Sequence, residues 1–142
     1  RTSRGVNCPL KMFKILVLGS LLSSVLAFTE EQIAMMNSLH SGCVSQTGVA
    51  EDAISNAQAG NIADDPKLKC YMKCIFDEIG VIDDDEKIDV DGAIAILPEE
   101  MQEFAPAVMK KCGTQSGTDL CDAIYNTFKC YYAADKRVFF LP

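Results

Sequence analysis

Residues 68–79 read LKCYMKCIFDEI and place two cysteines, Cys70 and Cys74, four positions apart. That spacing puts both side chains on one side of an α-helix, one turn apart. Large apolar side chains recur at helical spacing along the same stretch, namely Leu68, Tyr71, Met72, Ile75, Phe76 and Ile79. Together they form an apolar face that is wider than the face of a helix packed on a protein surface. The stretch therefore predicts the central helix of a bundle.

The two cysteines of this helix have two alternative uses. A bond between Cys70 and Cys74 would constrain almost nothing, whereas a bond from each to a different distant segment would fasten the helix to its neighbours. The second arrangement needs further cysteines, and the sequence contains Cys43, Cys112, Cys121 and Cys130. Six cysteines permit about 15 pairings, so these residues alone leave the connectivity open.

The N-terminal residues indicate whether the cysteines meet an oxidising compartment. From Met12 the sequence reads MFKILVLGSLLSSVLAFTEE, with Lys14 ahead of an apolar run and a small-residue cleavage site at Ala27. This pattern predicts a secretory signal peptide over residues 12–27. The run is shorter than an ordinary membrane span of about 20 residues, so we expect no stable membrane insertion. In a secreted protein, the cysteines predict disulfides rather than metal or redox chemistry.

The first eleven residues, with the odd Cys8, precede this signal. We expect them to be an upstream leader or an artefact of the gene assignment; a long basic segment of the signal peptide is the alternative. Residues 1–27 would then leave one domain, 28–142, with 9 basic against 20 acidic side chains and a net charge of −11. Such an acidic chain argues against nucleic acid or an anionic membrane as a partner.

Capping signals divide the remaining chain into helices. Thr29 and Gln32 form a capping box, and Phe28 can pack against Ile33. The first helix is expected from about residue 30 to residue 41, ended by Gly42-Cys43, with Ile33, Met36 and Leu39 facing inward. Asp65 and Pro66 begin the central helix. Further helices are expected at about 49–59, 93–97, 99–111 with a kink at Pro106, and 118–133.

The acidic segment 83–92, DDDEKIDVDG, invites a calcium interpretation. An EF-hand loop needs oxygen ligands at its odd positions, glycine at the sixth and glutamate at the twelfth. Starting at Asp83 puts Ile88 at the sixth position, and aligning Gly92 there puts Pro98 at the twelfth. Both registers fail, so we expect a solvated connector and no metal or cofactor.

The C-terminal residues RVFFLP, 137–142, are unusually apolar for a chain end. They are interpreted as a lid or cavity wall over residues 135–142, with a disordered tail or an extra piece of core as alternatives. His40 is the only histidine. It is either a pH sensor for such a lid or an ordinary exposed side chain.

The six cysteines follow the pattern Cys43-x26-Cys70-x3-Cys74-x37-Cys112-x8-Cys121-x8-Cys130. Together with the signal peptide and the number of helices, this pattern resembles the six-cysteine insect odorant- and pheromone-binding proteins. The stretches CYMKC and CDAIYNTFKC, with Ile96-Leu97-Pro98 after the acidic connector, are most similar to the pheromone-binding type of bees and wasps. Pro106 is a departure from the family's pattern, at a place that would affect the local shape of the pocket wall.

The resemblance implies an all-α, compact six-helix bundle around an apolar cavity, with disulfides Cys43–Cys74, Cys70–Cys121 and Cys112–Cys130. It implies an extracellular, non-enzymatic carrier that takes a small hydrophobic volatile ligand through sensillar lymph or another secretion. An olfactory receptor would be a further partner, and the protein would be a monomer or a weak homodimer. The alternatives are a secreted interaction or defence protein, a non-olfactory lipid carrier and, less favoured, a phospholipase-like enzyme.

The candidate ligand-binding residues are the inward apolar side chains of the predicted helices, with the tail closing the cavity. Any one of them has ordinary core as its alternative role. Tyr71, Tyr125 and Tyr131 offer hydroxyls to a ligand head group, or else to solvent. The full set of apolar candidates is Met36, Leu39, Ile54, Leu68, Met72, Ile75, Phe76, Ile79, Ile96, Leu97, Val108, Ile124, Phe128, Phe139, Phe140 and Leu141.

Overall fold

Residues 29–142 are described by a computed structural model and form six α-helices. The predictions for the leader, the signal peptide and Phe28 lie outside the described residues. The helices are α1 (Glu30–Thr47), α2 (Glu51–Gln58), α3 (Pro66–Glu78), α4 (Val90–Ala95), α5 (Ala105–Cys112) and α6 (Leu120–Ala134). Two 3₁₀ turns, Glu99–Met101 and Lys136–Val138, precede α5 and follow α6. No β-strand occurs within this range, where the one bridge, between Ile82 and Ile88, is isolated.

Helix α3 is the centre of the bundle, as the sequence predicts. It begins at Pro66, and the Asp65 side chain accepts a hydrogen bond of 2.8 Å from the Leu68 N–H, which caps the helix. Leu68, Tyr71 and Met72 are fully buried, and α3 packs most extensively against α6 and then α1. Burial on this scale explains why the helix carries so wide an apolar face.

Three disulfides cross-link the bundle. On α3, Cys74 bonds to Cys43 of α1 and Cys70 bonds to Cys121 of α6, while Cys112 of α5 bonds to Cys130 of α6. These are the pairs that the family resemblance implies. Because Cys70 and Cys74 are bonded to different helices, α3 is fastened on two sides. The all-helical, three-disulfide fold class predicted from the sequence is confirmed.

Helix α1 is longer than predicted. It continues through Gly42 and Cys43 and ends only at Gly48, whose φ of 62° is left-handed and whose N–H bonds to the Val44 carbonyl. Cys43 is fully buried and disulfide-bonded, which outweighs the cost of about 1 kcal/mol for a helical glycine. The predicted capping box at Thr29 is present, but Ile33, predicted to face inward, is 45% exposed.

The segment around Pro106 also differs from the prediction of one kinked helix. The chain makes the 3₁₀ turn Glu99–Met101 first and then begins α5 at Ala105, so that Pro106 lies in the first turn of α5. Proline is accepted there because the first N–H groups of a helix have no intrahelical acceptor. Helix α4 begins three residues before its predicted start, since the Asp89 side chain caps it by accepting from the Gly92 N–H.

Two glycine substitutions test this description of the backbone. A Cβ at Gly42 would meet no atom within 4 Å, whereas a Cβ at Gly117 would lie 2.2 Å from the Ala123 backbone nitrogen. Gly42→Ala should therefore raise the free energy of unfolding by about 0.5–1 kcal/mol, since alanine is the better helix former. Gly117→Ala should lower it by about 1–3 kcal/mol through overpacking.

Chemical denaturation of the oxidised protein measures both changes, and each variant is the control for the other. If Gly42→Ala were destabilising, α1 would not continue through residue 42. A neutral effect of Gly117→Ala on stability would show that the 113–119 loop does not approach α6 closely.

Candidate ligand-binding cavity

A cavity of about 190 Å³ lies between α1, the end of α3, the segment from α4 to α5, α6 and the C-terminal tail. Its volume is below the roughly 300–1,000 Å³ typical of sites for drug-sized ligands, which favours a small occupant. The lining residues are Gln32, Met35, Met36, Leu39, Ile75, Phe76, Ile79, Ala93, Ile96, Leu97, Pro98, Met101, Met109, Phe128, Tyr131, Val138, Phe140 and Pro142.

The described wall of the cavity is almost entirely apolar and carries no charged side chain. Gln32 and Tyr131 are its two side chains with hydrogen-bonding groups. The Gln32 Oε1 already accepts a hydrogen bond of 2.8 Å from the Thr29 N–H at the start of α1. A charged group placed deep in this wall would leave water without a side-chain counter-charge, which costs several kcal/mol, so the buried part of the wall favours neutral groups.

One side of the cavity reaches the protein surface. Three of its lining residues are exposed, with Met35 at 55%, Ile96 at 56% and Phe140 at 43% of their full surface. Two other lining residues, Met109 and Tyr131, are buried. Ligands would therefore enter past the exposed residues, which belong to α1, the end of α4 and the tail.

The C-terminal tail folds back across the bundle and forms part of this wall. The Tyr71 hydroxyl donates a 2.8 Å hydrogen bond to the Pro142 carbonyl, and the Gln58 Nε2 donates a 3.1 Å bond to the Leu141 carbonyl. Leu141 is buried, and the Phe139 ring stands edge-on to Phe128 with centroids 5.7 Å apart. The tail thus contributes both to the core and to the cavity wall.

His40 lies beside this C-terminal attachment and is only partly exposed. Its Nδ1 is 3.1 Å from the Pro142 carbonyl oxygen and 3.0 Å from the Tyr71 hydroxyl, while its Nε2 is 3.1 Å from a Glu51 carboxylate oxygen. The Pro142 and Glu51 oxygens are hydrogen-bond acceptors. An imidazolium, which carries a hydrogen on each nitrogen, satisfies both of them at once.

The structure brings part of the predicted ligand set into the cavity. Met36, Leu39, Ile75, Phe76, Ile79, Ile96, Leu97, Phe128 and Phe140 line it. The other candidates, Ile54, Leu68, Met72, Val108, Ile124, Phe139 and Leu141, pack in the core or against it without lining the cavity. The ligand-binding roles of both groups stay predictions.

Several lining residues escaped the sequence analysis. Met101 and Met109 lie on either side of the start of α5, where one continuous kinked helix was expected. Val138 and Pro142 were not named individually, but they lie in the tail 135–142 that was predicted to be a lid or cavity wall. Met35 lies one turn before Leu39 on α1, but it is exposed and was not included among the inward residues. Flexible methionines suit a wall that adapts to different shapes. The methionines near predicted helix ends were the sequence feature that could have pointed to these lining residues.

The three candidate tyrosine hydroxyls have different surroundings. That of Tyr71 bonds to Pro142, and that of Tyr125 donates a 3.2 Å bond to the Ile62 carbonyl. The Tyr131 hydroxyl is buried without a hydrogen-bond partner in the described part of the chain. Burial raises the pKa of Tyr131 to about 12, so its hydroxyl keeps its proton at neutral pH.

Neither a metal centre nor a membrane span is evident in residues 29–142. Their histidine, cysteine and acidic side chains form no group of three or more that could hold an ion, including those of the acidic connector. No described helix combines the length and the apolar character needed to cross a membrane.

The fold and this site define a class: small, all-helical, disulfide-linked proteins with an internal apolar cavity. Comparison with known proteins identifies the family, because residues 26–134 match the PBP/GOBP family. The chain belongs to that family.

Relatives of this chain include general odorant-binding protein 69a of Drosophila melanogaster, 36% identical over 74% of this chain and 72% of that protein. The crystal structure of the medfly odorant-binding protein CcapOBP22/CcapOBP69a is similar, with a TM-score of 0.66 and 34% identity over 74% of this chain and 91% of that one.

A third relative is odorant-binding protein 7 of Anopheles gambiae, with four disulfide bridges and a bound azo compound. It has a TM-score of 0.71 and 26% identity over 80% of this chain and 93% of that one. The narrower resemblance to the type found in bees and wasps stays a prediction.

Two matched substitutions separate the cavity from the core. Ile75 and Ile54 are both buried, but only Ile75 lines the cavity. Ile75→Val and Ile54→Val should each cost about 0.5–1.5 kcal/mol of stability. Only Ile75→Val should weaken binding of a small apolar fluorescent probe, by about fourfold for one lost methylene contact. Equal effects of the two variants in a fluorescence titration would contradict the assignment of the cavity.

Proposed function

We propose that this protein is a secreted carrier that holds a small, neutral, hydrophobic molecule in the cavity and takes it through an aqueous fluid to a membrane receptor. The proposal rests mainly on the apolar cavity, which has no charged side chain in its described wall, in a chain of the PBP/GOBP family. The relatives are named odorant-binding proteins, and one was crystallised with an azo compound.

The surface and the cross-links support a carrier that works outside the cell. The net charge of −7, or −11 without residues 1–27, favours a soluble protein at high concentration. Three disulfides suit an oxidising fluid and a small domain that keeps a cavity. Sensillar lymph is the proposed setting, with a volatile odorant or pheromone as the ligand.

Displacement of a fluorescent apolar probe tests the proposal. The oxidised protein should bind the probe, and volatile esters, alcohols or ketones should displace it at micromolar concentration. The reduced and unfolded chain is the control for nonspecific binding. Absence of probe binding by the oxidised protein would overturn the carrier function and favour an interaction protein without a small ligand.

We propose further that residues 135–142 gate the cavity. Val138, Phe140 and Pro142 line the cavity, while the chain end is held by hydrogen bonds from Gln58 and Tyr71. Opening the tail therefore breaks few polar contacts but uncovers the cavity.

The gate is tested by Tyr71→Phe, which removes the hydroxyl that bonds to Pro142. Loss of about 1 kcal/mol from the closed state should speed release of a bound probe about fivefold in stopped-flow measurements. Tyr125→Phe is the matched control, since its hydroxyl bonds to Ile62 away from the tail. Deletion of residues 138–142 should change ligand affinity or its pH dependence. If the deletion variant bound the ligand as the full chain does at every pH from neutral to acidic, that result would count decisively against the gate.

A further inference from the structure

The Tyr131 hydroxyl is a polar group that the described structure leaves unused. Tyr131 lies on α6 and lines the cavity, and only 2% of its surface is exposed. Its ring is edge-on to Phe128, with centroids 6.1 Å apart, so the ring is fixed among apolar neighbours. In contrast to Tyr71 and Tyr125, its hydroxyl has no hydrogen-bond partner among residues 29–142.

A buried hydroxyl with no protein partner is costly, because burial removes it from bulk water and no protein group replaces that hydrogen bond. Phenylalanine would fill the same place without that cost. A tyrosine at this position is therefore explained if a bound molecule supplies the missing partner.

We infer that Tyr131 donates a hydrogen bond to the carbonyl oxygen of the ligand, and that the cavity is built for small neutral esters, aldehydes or ketones. This inference rests on the proposed carrier function. It adds to that function the chemical class of the ligand and the residue that selects it.

The choice of a carbonyl over other oxygen groups follows from hydrogen-bond accounting. A carbonyl only accepts, so one bond from Tyr131 satisfies both groups. An alcohol facing Tyr131 shares one hydrogen bond and leaves either its own hydrogen or that of the tyrosine unpaired. A carboxylate would be buried with no charged residue in the described wall.

The hydroxyl is covered in the ligand-free protein, so the ligand reaches it only after a side chain moves. Four methionines line the cavity, Met35, Met36, Met101 and Met109. Their unbranched side chains change conformation at low cost. We therefore expect the wall near Tyr131 to rearrange when the carbonyl compound binds.

Binding of a methyl ketone and of the alkane of equal chain length tests the inference. Both are titrated by probe displacement against the oxidised protein, Tyr131→Phe and the control Tyr125→Phe. Tyr131→Phe should lower the preference for the ketone over the alkane about fivefold to tenfold, with little change for the alkane. Tyr125→Phe should leave this preference unchanged.

Two further measurements exclude a merely structural effect of Tyr131→Phe. The carbonyl stretch of the bound ketone should lie at lower frequency in the unsubstituted protein than in Tyr131→Phe. The melting temperature of ligand-free Tyr131→Phe should rise, because the variant lacks the unpaired hydroxyl.

The outcomes separate this inference from the carrier function. If the ketone and the alkane both bind and their affinity ratio is the same in Tyr131→Phe, the inference is wrong and the carrier stands. If neither compound binds the unsubstituted protein, both the carrier function and the inference are overturned.

Discussion

The two disulfides of α3 are the constraint on which the rest of the structure depends. Cys74 holds α1 and Cys70 holds α6 against the same buried helix. An apolar cavity of about 190 Å³ costs at most on the order of 4–5 kcal/mol at about 24 cal/mol per Å³, since one side of it reaches the surface. Two disulfides at about 2–4 kcal/mol each offset that cost by restricting the unfolded chain. The cross-links therefore let a small domain keep a space that packing alone would close.

The cavity is assembled from segments far apart in sequence, and this determines how it works. Helices α1, α3 and α6 give a wall fixed by disulfides, while the segment after α4 and the tail give a wall held by packing and a few hydrogen bonds. In the proposed carrier, the fixed part would hold the ligand and the less constrained part would open. The proposed selectivity rests on the volume, the absence of charged side chains in the described wall and one tyrosine hydroxyl.

The sequence was informative where capping and periodicity agreed. Asp65-Pro66 fixed the start of α3, and the apolar positions from Leu68 to Ile79 identified it as the buried helix. Local signals failed where tertiary contacts decide. Gly42 suggested a helix end, but burial of Cys43 carries α1 past it, and Pro106 suggested a kink although it begins a helix.

The cavity residues were harder to predict than the core. Helical periodicity shows that a side chain faces inward, but not whether it meets another side chain or an empty space. Met72 and Ile75 are close together on the same face of α3, yet only Ile75 lines the cavity. The role of Tyr131 depends on the absence of a partner for its hydroxyl, which only the folded arrangement reveals.

Methionine-methyl NMR during titration with a small neutral carbonyl compound tests the central claim most directly. Met35, Met36, Met101 and Met109 line the cavity, and Met72 is fully buried outside it, so the protein carries its own internal control. We predict saturable shifts of the four lining methyl signals, with that of Met72 little changed. Saturable binding that shifts Met72 and leaves the lining methionines unmoved, or no shift at any of them, would contradict a ligand-binding cavity at this place.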